Sequence, residues 1–206
     1  MTFDPGYGET PLPFDELGAL LPEARELLDE PVTKTAVYDL EQAVEANVTE
    51  ELITAVVEGR LSLDQMFRPG FLGQLHDQLY GRIWEWAGQY HRRELNIGVD
   101  PVYISQELHT ALDTLQYRWD NTHDWSAREL GIAVHAECVR VHPFVDGNGR
   151  STRLYADLVF LSAQDSTGVQ LYDWDFDKAE YIRLLREFDQ HRDPTELAAF
   201  VPVYTP

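Results

Sequence analysis

The feature that most constrains this chain is a helical apolar period that recurs along most of its length. Over residues 39–58, Leu40, Val44, Val48, Leu52 and Val56 return every fourth position, which is one face of an α-helix, and Gly59 suits its stop. Residues 69–86 repeat the pattern through Phe71, Leu72, Leu75, Leu79 and Ile83, with Pro69 suited to a first turn. A third helix is expected over residues 104–119, through Leu108, Leu112, Leu115 and Trp119. Ser126 and Glu129 have capping-box spacing and open a helix carrying Leu130, Ile132, Ala133, Ala136 and Val139. Further helices are expected from about residue 148 to 161, over 177–190 and over 195–200. The exception is the stretch around residues 90–104, where β-branched and aromatic residues surround Asn96, Gly98 and Pro101. It reads as a short β-hairpin or flap. The expected fold class is therefore all-α, with six to eight helices and one short hairpin.

Length suggests one domain, assigned to residues 14–206. Pro5, Gly6, Gly8, Pro11 and Pro13 make the first 13 residues read as an extended arm. Against 36 Asp and Glu stand 16 Lys and Arg, a net charge of −20. So acidic a chain repels nucleic-acid backbones and anionic membranes unless its cations are concentrated, so neither is expected as a partner. A single cysteine, Cys138, excludes a disulfide framework and fits a reducing compartment such as the cytoplasm. No apolar run approaches the roughly 20 residues that span a bilayer.

The chemistry is concentrated over residues 141–153, V-H-P-F-V-D-G-N-G-R-S-T-R, between two helical patterns. Gly147, Asn148 and Gly149 at a helix start leave backbone N–H groups pointing out of the helix end, an anion site suited to phosphate. Arg150 and Arg153, three apart, lie on one face near that end, and arginine makes bidentate phosphate contacts. Asp146 is placed to hold Mg²⁺, a hard cation that prefers oxygen. His142 has the proton affinity of a general base near neutral pH. A base, a metal ligand and an anion cradle together point to phosphoryl or nucleotidyl transfer.

These residues resemble the signature of the Fic family, HxFx(D/E)GNGRxxR, at every defined position from His142 to Arg153. The segment Ile83-Trp84-Glu85-Trp86-Ala87-Gly88 resembles the family core ahead of its flap. Asn96-Ile97-Gly98-Val99 resembles the flap, and residues 181–201 its closing helices. Glu9-Thr10-Pro11-Leu12, Leu40-Glu41-Gln42 with Ala46-Asn47, and the NIGV stretch are similar to the subgroup called mobile mystery protein B. The resemblance implies a Fic-type helical domain and a protein adenylyltransferase. His142 would deprotonate a target hydroxyl, and Asp146 would bind Mg²⁺ bridging the α- and β-phosphates of ATP. Gly147, Asn148 and Gly149 would line the anion hole, Arg150 would hold the β-phosphate and Arg153 the γ-phosphate. The flap residues Asn96, Ile97, Gly98 and Val99 would seat the target segment by strand addition. The target would be a Ser, Thr or Tyr hydroxyl on another protein or on the chain itself. Family analogy adds a bacterial cytoplasmic setting and an antitoxin partner.

Transfer of another nucleotide or of phosphate, removal of AMP, and a non-catalytic or partner-silenced interaction protein stay open as alternatives. Thr54-Ala-Val-Val-Glu58-Gly59 matches the letters of an inhibitory helix, (S/T)xxxE(G/N), whose glutamate pairs with the second motif arginine, here Arg153. The competing reading is a helix ending on a polar residue with a glycine cap. His135 reads as a packed core histidine and Cys138 as a small buried hydrophobe. His76, His91, His109, His123 and His191 show no metal-ligand spacing. Asp173, Asp175 and Asp177 read as a solvated acidic turn.

Overall fold

The computed structural model describes residues 11–165 and 168–205. Ten α-helices and one two-stranded sheet are formed among the described residues: α1 Phe14–Ala19, α2 Pro22–Arg25, α3 Lys34–Val57, α4 Leu63–Met66, α5 Phe71–Tyr80, α6 Ile104–Thr122, α7 Ala127–Val141, α8 Asn148–Ala163, α9 Lys178–His191 and α10 Thr195–Phe200. Six of these are ten residues or longer, and they are the six the apolar periodicity marks most clearly. The arm expected over residues 1–13 falls, through residue 10, outside the described residues.

Local chemistry accounts for the boundaries. The Thr33 hydroxyl accepts from the Ala36 N–H at 3.3 Å, which starts α3 five residues before the apolar pattern does. The Ser126 hydroxyl accepts from the Glu129 N–H at 3.2 Å, and the Glu129 carboxylate accepts from the Ser126 N–H at 2.8 Å, completing the capping box of α7. The helix expected over 69–86 ends earlier, at Tyr80. Turns carry the chain from there, and Trp84 and Trp86 stack at 5.2 Å instead of lining one helix face.

Helices α7 and α8 form the central pair; α6 flanks α7, α3 and α5 flank α8, and α9 and α10 cover the other side of α7. The main core runs through Leu75, Leu79, Ile104, Leu130, Cys138, Phe144, Tyr155 and Leu158, all at or below 1% exposure. A second core joins Ile132, Phe160, Leu184, Phe188 and Leu197. Burying apolar area at about 25 cal/mol per Å² makes these clusters the main source of stability. Cys138 and His135 are fully buried, as their apolar neighbours imply.

The hairpin expected over residues 90–104 does not form. The paired strands are β1 Leu171–Tyr172 and β2 Val203–Tyr204, antiparallel, with Leu171 opposite Tyr204. Residues 90–103 form an irregular strap ending in a 3-10 turn, Pro101–Tyr103. Two of its backbone donors bond the motif segment: His91 N–H to Pro143 O at 2.9 Å, and Val99 N–H to Val141 O at 3.2 Å. No helix among the described residues is long and apolar enough to cross a membrane.

Candidate active site

The junction of α7 and α8 positions the motif. His142 is the C-cap of α7 in the left-handed region, φ 53°, a conformation that non-glycine residues seldom adopt. It turns the chain out of α7 and presents the imidazole to the start of α8. The Asn148 carboxamide holds it there. Its oxygen accepts from the Phe144 N–H at 2.9 Å, and its nitrogen donates to Phe144 O at 2.6 Å and lies 3.1 Å from His142 Nε2. The oxygen's partner is a donor, so the amide nitrogen must face the imidazole. This makes His142 Nε2 the unprotonated acceptor, its one lone pair directed at the Asn148 amide, a contact that a target hydroxyl must replace to be deprotonated. Burial holds the His142 pKa below its usual 6.5.

Gly147 caps α8 at φ 73°, with no side-chain cap, so the first N–H groups of the helix have no intrahelical acceptor. A Cβ at Gly147 would fall 2.6 and 2.9 Å from atoms of the Tyr80 ring. Glycine is thus required there twice, by backbone and by space. Beneath the loop, His76 accepts from the Gly88 N–H on Nδ1 at 2.9 Å, so its Nε2–H donates to Asp146 O at 3.0 Å. The ring also stacks on Phe144, 3.7 Å between centroids. Burial lowers the His76 pKa to about 4, so this strut is neutral across the physiological range. His76 and His91 carry no metal spacing, and that is why their spacing alone conceals them. They brace the loop, His91 through its Nε2 contact with His142 O at 3.1 Å.

The exposed Asp146 carboxylate accepts from the Gly147 N–H with Oδ1 at 2.6 Å, and Oδ2 has no hydrogen-bond partner among the described residues. No cluster of three or more metal-ligating side chains occurs among the described residues. One unbonded, exposed carboxylate oxygen beside an anion cradle fits Mg²⁺, which keeps several waters and is shared with substrate phosphates, rather than a metal held wholly by protein.

The two motif arginines differ. Arg150 Nη1 lies 2.5 Å from Glu41 Oε2 and 4.0 Å from Glu45 Oε2, both on α3, and its guanidinium sits 5.0 Å over the Tyr80 ring. Arg153, half-buried one turn on, has no ion pair among the described residues. Glu58 does not approach it. Its carboxylate takes the Arg60 guanidinium at 2.6 Å, with both side chains more than half exposed, so the Glu58–Arg153 pair that the motif letters raised is not formed and the competing helix-end reading fits. Glu58 is the C-cap of α3, followed by Gly59 at φ 71°. The strap residues Asn96, Ile97 and Gly98 are exposed, and Val99 is half-buried. Gly98, φ 95°, passes so close to the motif that a Cβ there would lie 2.7 Å from His142 Cβ.

Fold and loop together define a helical domain in which a histidine faces a glycine-capped helix N-terminus bearing two arginines. Residues 67–160 match the model of the Fic/DOC family. Over 79 residues, 36% of this chain, it is 33% identical to Protein adenylyltransferase fic-1 of Caenorhabditis elegans, and the stretch is 15% of that relative's length. Among solved structures, the BepC protein of Bartonella tribocorum with bound AMPPNP superposes with a TM-score of 0.60 at 15% identity, covering 90% of this chain and 100% of that one. The N-terminal Fic domain of a VirB-translocated Bep effector from Bartonella quintana with bound ADP gives 0.61 at 16% identity, covering 84% and 87%. At such identities the likeness is one of fold.

Proposed function

We propose that this protein is an adenylyltransferase that moves AMP from Mg·ATP to a Ser, Thr or Tyr hydroxyl of a protein, another chain or its own. One observation carries the reading: His142 Nε2 is held as an acceptor, by Asn148, at the mouth of the α8 N-terminus. A base and an anion cradle are thereby within one loop, the arrangement that transfer to a phosphorus centre requires.

His142 Nε2 takes the proton of the target hydroxyl. The oxygen bonds to the α-phosphorus as the bond to the bridging oxygen of pyrophosphate breaks, and pyrophosphate departs. The N–H groups of Asn148 and Gly149 receive the charge that develops on the α-phosphate, Gly147 lines the same hole with its own N–H given to Asp146 Oδ1, and Arg150 and Arg153 hold the β- and γ-phosphates. Mg²⁺, held by Asp146, supplies neutralisation of phosphate charge, which matters in a chain of net charge −20. The strap bearing Asn96, Ile97, Gly98 and Val99 lays the target beside His142. Nucleotide binding in the structural neighbours and the adenylyltransferase relative support this reading, and an antitoxin-type partner that silences it belongs to the same proposal.

The test is incubation of the protein and a cell lysate with ATP labelled at the α- or the γ-phosphate. Label from the α-position alone, lost in His142→Ala, is the expected result. Label from the γ-position would make the protein a kinase instead. No labelling and no calorimetric binding of Mg·ATP would leave a non-catalytic interaction protein.

A further inference from the structure

Arg150 is not left to find its own orientation. Glu41 is 5% exposed, and both of its carboxylate oxygens are engaged. Oε1 accepts from the Trp84 indole N–H at 2.7 Å, and Oε2 from Arg150 Nη1 at 2.5 Å. Trp84 is itself buried, 6% exposed, and stacked on Trp86. Three elements remote in sequence thus meet in one chain of hydrogen bonds: the turn after α5, helix α3 and the first turn of α8. The Tyr80 ring lies along the guanidinium from the core side. Glu41 takes only Nη1. The Nε and Nη2 groups of Arg150 have no hydrogen-bond partner among the described residues. They form the edge that grips a phosphate in bidentate fashion. A cavity of about 470 Å³ opens here, with Lys34, Tyr38, Glu41, Trp84, Asp146 and Arg150 in its wall.

We infer that Glu41, fixed by Trp84, is a positioning residue for Arg150: it holds the guanidinium by one nitrogen so that its free edge faces the β-phosphate of the nucleotide. A buried carboxylate tied at both oxygens to two elements has no room to swing away, which argues against its acting as a displaceable brake. A flexible arginine would have to order itself on binding, and that entropy opposes affinity; a preorganised one has already lost it. The inference rests on the adenylyltransferase reading, since it presumes that Arg150 meets a β-phosphate.

The experiment compares Mg·ATP, Mg·ADP and AMP binding by calorimetry on the full chain, as wild type, Glu41→Gln and Trp84→Phe, with thermal melts to show that each is folded. AMP has no β-phosphate and so does not report on Arg150. Glu41→Gln is expected to weaken ATP and ADP by about tenfold and AMP by less than about twofold. Trp84→Phe keeps an aromatic ring but removes the N–H, so it should shift ATP and ADP in the same direction by a smaller factor, and it decides the matter if Glu41→Gln does not fold. Equal loss for all three ligands would make Glu41 merely structural and overturn the inference. Tighter ATP binding would overturn it in the other direction, as a carboxylate competing with phosphate. Unchanged ATP binding in both variants would overturn it as well. A wild type that binds AMP but not ATP would sink this inference alone; one that binds no nucleotide would sink the adenylyltransferase reading and the inference with it.

Discussion

Asn148 joins the two halves of the motif: its amide nitrogen lies 3.1 Å from His142 Nε2, while its oxygen and nitrogen both bond the Phe144 backbone. The contact links the C-cap of one helix to the first residue of the next, and it sets the direction in which the histidine lone pair points. It also means that the base acts with a neutral ring.

The rate of label transfer should therefore fall on the acid side with a midpoint below 6.5, because burial lowers the His142 pKa and the base works only when unprotonated. The pH profile of kcat/KM checks this. A midpoint above 6.5 would mean that another group limits the reaction. His142→Ala should abolish transfer without changing the melting temperature by more than a few degrees.

Gly147→Ala should damage both fold and activity. The substitution places a Cβ 2.6 Å from the Tyr80 ring at φ 73°. Left-handed strain and overlap together should cost about 2 kcal/mol. Urea denaturation measures the loss, and a stability equal to wild type would show that the loop relaxes freely.

Gly98→Ala should separate the two substrates. Its Cβ would meet His142 Cβ at 2.7 Å and Val141 O at 2.9 Å, forcing the strap away from the motif. Target modification should drop at least tenfold while Mg·ATP affinity changes little. Comparable loss of both would show that the strap also shapes the nucleotide site.

Glu58→Gly should leave ATP affinity and transfer rate unchanged. The side chain pairs with Arg60 in solvent, a contact worth about 0–1 kcal/mol, and does not reach Arg153. Activation in this variant, read from label transfer, would restore the inhibitory role that the local motif suggested.

Acidification should unfold the protein partly through His135. This residue is fully buried, with Nε2 paired to the Tyr181 hydroxyl, and burial lowers its pKa to about 3. Above pH 6.5 the ring is neutral folded and unfolded, so its full contribution is present. As pH falls from 6.5 to about 3, only the unfolded chain takes up the proton, and stability is lost at about 1.4 kcal/mol per unit. His135→Gln should flatten that limb in denaturation curves recorded from pH 7 to pH 4. An unchanged slope would place the acid sensitivity elsewhere.

Much of this was legible along the chain. The recurrence of Leu108, Leu112 and Leu115 made α6 readable, since a helix shows its buried face as a period in its own residues. Ser126 with Glu129 marked the start of α7 because a capping box is a contact between near neighbours. The His142–Arg153 run was legible for the same reason, as twelve consecutive residues make one loop. The strap was read as a short β-hairpin or flap, and its lack of paired strands was not legible, since its hydrogen-bond partners Val141 and Pro143 lie some forty to fifty residues away. Glu58 shows the limit of local letters: three defined positions matched a motif, while the distance from Glu58 to Arg153 depends on where α3 ends against α8.

What the sequence determined by itself was local: which segments are helices, where the chemistry is concentrated, and that an acidic body carries two arginines at one helix end. What only the tertiary structure decided is which partners those groups meet. Glu41, Trp84 and Arg150 lie far apart in the chain, and no periodicity joins them. They come together because α3 and the turn after α5 pack around α8 to bury apolar area. That packing, not any local preference, settles that Arg150 is held while Arg153 has no ion pair among the described residues.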